Sequence, residues 1–422
     1  MVWVAVFSSI LLLILSVPVF LVFGIGSSLV AILGLDLPWS TLIQVSFGAV
    51  TRQLLLAIPL FIFAGLAMLR GGVARRLVDL MVALVGHLPG GLGIATVLTM
   101  GFFAAFCGSI LAAITAVGTV LMPVMIEKGY PKPFVIALVA AAALVEALIP
   151  PSNAAIIYSS LTHVPVSKTF AAGILPGLVL MVLLIVLVVW RCRDMERSPR
   201  ATTAVRIAAF MAAIPGLTTP VVILGGIYTG LLTAAESAAA AGVWAIFVGA
   251  VIHRELTWRG LSEALESTAI STTIIFAIIA MATFLSVVLT FTQAPQALIA
   301  YFIDFGVTPL TFLIIVGVVC LILGTFIEIV PVFYLTVPVF AVIAGALDVD
   351  LVYFYIVFLA FAGIGQLTPP VCLSIYTAAS VVRVSADTAF REVPVFIVLG
   401  LIYAAIVIAF PFLSTWLPSV LL

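Results

Sequence analysis

Two short stretches of the chain hold residues whose types and spacing suggest chemistry. Leu148–Tyr158 (LIPPSNAAIIY) and Leu367–Tyr376 (LTPPVCLSIY) each place a Pro-Pro pair inside an apolar run. Proline lacks a backbone N–H and its ring clashes with the preceding turn, so a helix passing through Pro150-Pro151 or Pro369-Pro370 must unwind there. Unwinding exposes carbonyl oxygens, which suit a hard cation such as sodium, and half-helix N-termini, which suit a carboxylate. Polar side chains cluster at these breaks and at two glycine-centred interruptions. Ser152 and Asn153 follow the first Pro-Pro, Thr368 precedes the second, Ser109 and Thr115 follow Gly108, and Thr325 follows Gly324. A plainer reading applies to any single hydroxyl: prolines kink membrane helices, and Ser or Thr bonds the carbonyl one turn back. Four breaks that pair by position favour an ion-and-substrate site over four independent kinks.

Three carboxylates, Glu146, Glu236 and Glu328, lie within apolar segments, where an acid is costly and by default marks function. Glu146 precedes the first Pro-Pro and Glu328 follows the second glycine break, so both are candidates for a cation, proton or substrate site, with buried structural pairing as the alternative. Glu236, in Thr233-Ala-Ala-Glu236 at the start of a span, fits a helix cap better. His87, His163 and His253 have no partner at ligand spacing, which leaves sodium as the only metal expected. The four cysteines are scattered singly, as small buried apolar side chains are. The chain has no phosphate-binding glycine loop, no nucleophile elbow and no His-Glu-x-x-His. No catalytic residue, and no cofactor beyond coupling ions, is expected.

The elements that must position these residues are membrane helices. The 422 residues are 65% hydrophobic and 8% charged, whereas soluble domains carry roughly a quarter of their residues as charges. Runs such as Val2 to Phe23, Phe170 to Trp190, Thr268 to Phe291 and Ala389 to Phe412 approach or exceed the ~20 residues that cross a hydrocarbon core as a helix. The first run has no basic residue before it and no small-residue cleavage site after it, so it is expected to be a retained span rather than a signal peptide. Ten-residue alternating segments of the β-barrel kind are absent. A formal net charge of zero gives no basic stripe for nucleic acid.

Fourteen of the sixteen Lys and Arg residues fall into five clusters: Arg70/Arg75/Arg76, Lys128/Lys132, Arg191 to Arg206, Arg254/Arg259 and Arg383/Arg391. Cytoplasmic loops collect such charge, and only Arg52 and Lys168 stand apart. If every cluster is cytoplasmic, the apolar run between Arg76 and Lys128 must enter and leave by one face. It therefore reads as a re-entrant hairpin (91–126) turning at Gly108-Ser109. Between Arg259 and Arg383 the same rule yields a second hairpin (308–344), turning at Gly324-Thr325 and opening outward. Backbone that leaves the helix at such depth is tolerated only against protein or a water-filled cavity, so both tips are candidate sites.

The two halves of the chain match in order. Gly108-Ser109 corresponds to Gly324-Thr325, Pro123 to Pro338, the first Pro-Pro stretch to the second, Ser167 to Ser385 and Pro176 to Pro394, over roughly seventy residues. The predicted organisation is a first repeat at 1–190 with its broken helix at 132–162, a basic cytoplasmic linker at 191–206, and a second repeat at 207–422 with its broken helix at 349–380. Five crossings plus a hairpin per repeat invert the second copy relative to the first. Inverted repeats are the structural signature of secondary transporters. The expected fold is an all-α polytopic membrane protein of two inverted-topology repeats, each with a re-entrant hairpin and a Pro-Pro-broken transmembrane helix.

The chain resembles the large membrane subunit of tripartite ATP-independent periplasmic (TRAP) transporters, within the ion-transporter superfamily. The likeness rests on Ile58–Gly65 (IPLFIFAG), Gly108-Ser109 through Met122-Pro123 with Lys128-Gly129-Tyr130, Ile149–Ser152 (IPPS), Gly225–Gly230 (GGIYTG) with Thr233–Glu236 (TAAE), and Leu367–Val371 (LTPPV). The resemblance implies an elevator-type carrier in a bacterial inner (cytoplasmic) membrane. It implies sodium symport of an organic acid delivered by a periplasmic substrate-binding protein, with a small four-helix membrane subunit as partner. It also implies sodium between each hairpin tip and its break: one site at Gly108, Ser109, Pro150, Ser152 and Asn153, another at Gly324, Thr325, Thr368 and Pro369. The family usually has glycine where this chain has Glu146, and Gly-x-Phe-x-Asp-Pro where this chain reads Gly324-Thr-Phe-Ile-Glu328. Two competing expectations are a stand-alone sodium- or proton-coupled carboxylate carrier of the same superfamily and a membrane-embedded enzyme using Glu146 and Glu328 as an acid pair.

Overall fold

The computed structural model describes residues 11–12, 15, 17–195 and 199–422. Most of the expected first span, Val2 to Phe23, lies outside these residues, as do 196–198 of the basic linker. The described chain is helical throughout. The first part comprises α1 (Val19–Leu35), α2 (Trp39–Val50), a 3-10 turn (Gln53–Leu56), α3 (Ala57–Arg70), α4 (Val73–Val85), α5 (Gly91–Cys107), α6 (Ile110–Glu127), α7 (Lys132–Ala142), α8 (Val145–Leu148), α9 (Asn153–Thr162) and α10 (Val166–Arg191). After the basic stretch come α11 (Thr203–Tyr228), α12 (Ala234–Phe247), α13 (Trp258–Phe291), α14 (Ala294–Asp304), α15 (Pro309–Gly324), α16 (Ile329–Ala346), α17 (Leu351–Leu367), α18 (Leu373–Val381), α19 (Val393–Ala409) and α20 (Phe412–Leu421).

Among the described residues, seven helices are long and apolar enough to cross a membrane, and up to nine spans result if each of two bent pairs is counted as one. The bends are at the first Pro-Pro, where α7–α8 and α9 meet at 42°, and between α19 and α20, at 56°. The run expected to cross from Thr268 begins ten residues earlier in α13, because the Thr257 hydroxyl accepts from the Gly260 N–H at 3.1 Å and caps the helix there. Ala389 to Phe412 is likewise not one helix: α19 starts at Val393 and ends before Pro411.

Each predicted interruption is a real gap between helices. Gly108 and Ser109 separate α5 from α6, and residues 149–152 separate α8 from α9. In the second half, 325–328 separate α15 from α16 and 368–372 separate α17 from α18. Two groups of helices pack around these gaps. The segments α1 to α3 lie against α12 and α13, whereas α5 to α10 pack among themselves and with α17 to α20. A knot of aromatic rings ties the two halves together: Tyr158 of α9 lies 4.8 Å from Tyr355, and Phe333 of α16 stacks on Phe358 at 4.6 Å. The buried Tyr158 hydroxyl donates to the Leu351 carbonyl at 2.6 Å, so its one polar atom does not stay unpaired in the apolar interior.

The basic clusters meet in pairs. Arg70 bonds Glu263 at 2.6 Å, Arg76 bonds Glu255 at 2.8 Å, and Arg191 bonds Glu392 at 2.7 Å. The Arg70/Arg75/Arg76 cluster thus shares a surface with the Arg254/Arg259 cluster. The linker's first arginine likewise meets the loop carrying Arg391.

Candidate functional site

At the first break, the hairpin tip presses directly on the unwound helix. Gly108 ends α5 with φ +62°, a left-handed conformation that glycine adopts at no steric cost. A Cβ there would come within 3.1 Å of the Pro151 carbonyl oxygen and 3.3 Å of the Asn153 nitrogen. The Ser109 N–H, at the start of α6, donates to Glu146 Oε1 at 3.2 Å. Glu146 is fully buried and its second oxygen, Oε2, has no hydrogen-bond partner. The Ser152 hydroxyl donates across the break to the Ala147 carbonyl at 2.8 Å. Asn153, also buried, opens α9, and its Oδ1 has no partner. Pro150-Pro151 supplies the unwound backbone between them.

At the second break the approach is closer. A Cβ on Gly324 would come within 2.6 Å of the Ala362 carbonyl oxygen and 3.1 Å of the Gly365 Cα, so this tip lies on the last turns of α17, just ahead of Thr368 and Pro369. The Thr325 hydroxyl donates to Ile322 O at 2.7 Å, Thr368 to Ile364 O at 2.9 Å and Thr115 to Leu111 O at 2.9 Å. All three make the preceding-turn bond of an ordinary membrane helix. A hydroxyl that donates still keeps its lone pairs, so the bond does not remove its capacity to ligate a cation.

A cavity of about 410 Å³ lies beside the first break. Its walls come from the hairpin tip (Gly108, Ser109, Thr115), the break (Ser152, Asn153), the start of α16 (Glu328), the end of α17 (Gln366) and the facing surface of α13 (Ser267, Ser271). Glu328, expected beside the second tip, occupies the position before α16 and turns up in the wall of this cavity with the first-break residues. Gly324, Thr325, Thr368 and Pro369 do not line it. Glu146 lies behind the tip rather than in the wall.

Gln366 was not among the sequence candidates. It is fully buried; its Oε1 accepts from Ser374 Oγ at 3.1 Å, and its Nε2 has no partner. The repeat match pairs this position with Ala147, which hid it. The available signal was a lone glutamine in the apolar run from Val349 to Ser380. Glu236 behaves as a cap: its carboxylate accepts from the Thr233 N–H at 2.8 Å and Thr233 Oγ1 accepts from the Glu236 N–H.

The chain matches the family described as "Tripartite ATP-independent periplasmic transporter, DctM component" over residues 6–413. It is 36% identical to the C4-dicarboxylate TRAP transporter large permease protein DctM of Pseudomonas aeruginosa, over 86% of each chain. It is 31% identical to the isethionate TRAP transporter permease protein DctMQ of Oleidesulfovibrio alaskensis, over 97% of this chain and 64% of that longer one. Among solved structures it is similar to the YdaH transporter of Alcanivorax borkumensis, with a TM-score of 0.59 and 16% identity over 88% of this chain and 87% of that one, a likeness of fold alone. These relatives are transporter proteins rather than enzymes, which removes the acid-pair enzyme from consideration. The chain belongs to the DctM family of tripartite ATP-independent periplasmic transporters.

Proposed function

We propose that this chain is the large transmembrane subunit of a sodium-coupled, ATP-independent importer of an organic acid, fed by a periplasmic binding protein and accompanied by a small membrane subunit in a bacterial inner membrane. The observation that carries the proposal is the cavity at which hairpin tip, broken helix, the start of α16 and the end of α17 meet. The C4-dicarboxylate and isethionate named for the relatives are both anions, and half-helix N-termini suit anions. The starts of α6 and α9 line this space, and the unpartnered Gln366 Nε2 adds a donor.

The first break fits a hard monovalent cation. Two buried oxygens, Glu146 Oε2 and Asn153 Oδ1, have no partner, and unwound backbone supplies carbonyls. Gly108, Ser109, Pro150, Ser152 and Asn153 would hold one sodium ion; Gly324, Thr325, Thr368 and Pro369 would hold another through backbone oxygens and hydroxyl lone pairs. Bound sodium would supply positive charge beside the substrate's carboxylate, coupling the two by mutual attraction.

The proposed domain plan keeps repeats at 1–190 and 207–422 about the 191–206 linker. A second, polar cavity of about 170 Å³, lined by Arg52, Ser160, Thr283 and Ser286, borders α13 farther along the same helix. Ser271 and Thr283 are twelve residues apart, about 18 Å along a helix axis. Two cavities spaced along one helix suit an elevator in which the hairpins and broken helices carry the site from one level to the other. The experiment is uptake of the acid that co-purifies with the cognate binding protein into proteoliposomes of the complete transporter. An inward sodium gradient is expected to drive accumulation, and equal uptake under potassium alone would refute sodium coupling.

A further inference from the structure

The two breaks, matched by their Pro-Pro pairs, differ in what meets the hairpin tip. Counting back from each Pro-Pro, Glu146 in the first half stands where Gly365 stands in the second. Gly365 lets the second tip close tightly: a Cβ on it would sit 2.7 Å from the Gly324 Cα. At the first break, a carboxylate reaches the tip instead and takes the Ser109 N–H at 3.2 Å.

That hydrogen bond satisfies one oxygen only. Glu146 is 0% exposed, Oε2 has no partner, and among the described residues no Lys, Arg or His forms an ion pair with it. A second buried acceptor, Asn153 Oδ1, is also unpartnered. Both residues converge on the same two-residue tip, since a Cβ on Gly108 would lie 3.4 Å from the Asn153 side-chain carbon. Unpaired buried oxygens carry a full desolvation penalty, and an ionised one carries far more. A hard cation relieves both, because it accepts oxygen ligands and supplies the missing charge.

We propose that the Glu146 carboxylate is a direct ligand of a monovalent cation held at the first break, together with Asn153 Oδ1, so that this site carries a fixed negative charge and the second site does not. The inference rests on the sodium-coupled reading above. The first site then binds its cation by neutralising a charge of the protein, whether or not an anionic substrate is present. The second, as assigned to Gly324, Thr325, Thr368 and Pro369, has no carboxylate among its own ligands. Cation binding to the substrate-free protein is accordingly dominated by the Glu146 site.

The test uses the purified, substrate-free membrane complex, titrated with sodium chloride against choline chloride at constant ionic strength, with thermal unfolding as the readout. Sodium is expected to raise the wild-type midpoint saturably. Glu146→Gln keeps the bond to Ser109 and removes the charge, and is expected to raise the half-saturating sodium concentration at least about tenfold. Asn153→Ala is expected to raise it about threefold or more, and provides a second reading should Glu146→Gln fail to fold. Glu146→Asp, which keeps the charge on a shorter arm, is expected to fall between wild type and Glu146→Gln. Half-saturation within twofold of wild type in both Glu146→Gln and Asn153→Ala would overturn the assignment while leaving sodium coupling intact. A wild-type midpoint no higher in sodium than in choline would overturn the assignment and the sodium-coupled reading together.

Discussion

The Ser109 N–H and the Glu146 carboxylate meet at 3.2 Å across 37 residues of sequence, joining the tip of the first hairpin to the helix that breaks beside it. A backbone donor at the start of α6 is one that the helix itself leaves unpaired. Glu146 therefore fixes the tip, and anything bound at the tip is bound next to this carboxylate.

Gly108 is the residue that allows the close approach. Gly108→Ala is expected to strain the left-handed backbone and push the tip from Pro151 and Asn153. Substrate uptake should need about tenfold more sodium for half-maximal rate, a cost of about 1.4 kcal/mol. Gly225→Ala, which meets nothing within 4 Å, is the control and should leave the sodium dependence unchanged.

Hydroxyls already bonded to their own helix should matter less than unpartnered groups. Thr325→Val removes one hydroxyl ligand proposed for the second site, a hydroxyl already donating to Ile322 O, and leaves the backbone oxygens in place; it is expected to raise half-maximal sodium by less than about threefold, where Asn153→Ala raises it by more. Sodium titrations of uptake at saturating substrate separate the two.

Gln366 presents an unpartnered donor in the lining of the cavity proposed to take the substrate. Gln366→Leu is expected to raise the substrate concentration for half-maximal uptake about tenfold, the loss of one hydrogen bond to a charged group. Its half-saturating sodium in the substrate-free protein should stay at the wild-type value. A change in sodium affinity with no change in substrate affinity would move Gln366 from the substrate to an ion site.

Arg52 donates to the Ser160 carbonyl at 2.7 Å, bridging the Gln53–Leu56 turn to the end of α9. If α9 moves with the hairpins, this bond exists in one end state only. Arg52→Gln should release that state, worth about 1.5–3 kcal/mol for a charged hydrogen bond. A cysteine placed at Ser286 in the second cavity should then react faster with a membrane-impermeant thiol reagent. The four native cysteines are buried, so the background is low.

Much of the architecture was legible because membrane helices leave few options. Pro-Pro in an apolar run forces a gap, and both gaps fall at the expected residues. The charge clusters required certain loops to share a face, and Arg70–Glu263 and Arg191–Glu392 pair loops that the rule had grouped. Packing between the two halves of the chain was not legible. Nothing local in Glu328 says that it reaches the cavity of the first break, or that Gln366 does the same from α17; three-dimensional folding alone brings them there. The helix boundaries at Trp258 and Val393 were also missed, because Thr257 and Pro394 set them through capping and ring geometry rather than hydropathy.

The most direct measurement of the central claim is proteoliposome uptake under a sodium gradient, with and without the purified cognate binding protein. A sodium-coupled tripartite importer accumulates the acid only when the binding protein and the gradient are both present. Equal accumulation without the binding protein would contradict the tripartite account and point to a stand-alone carrier.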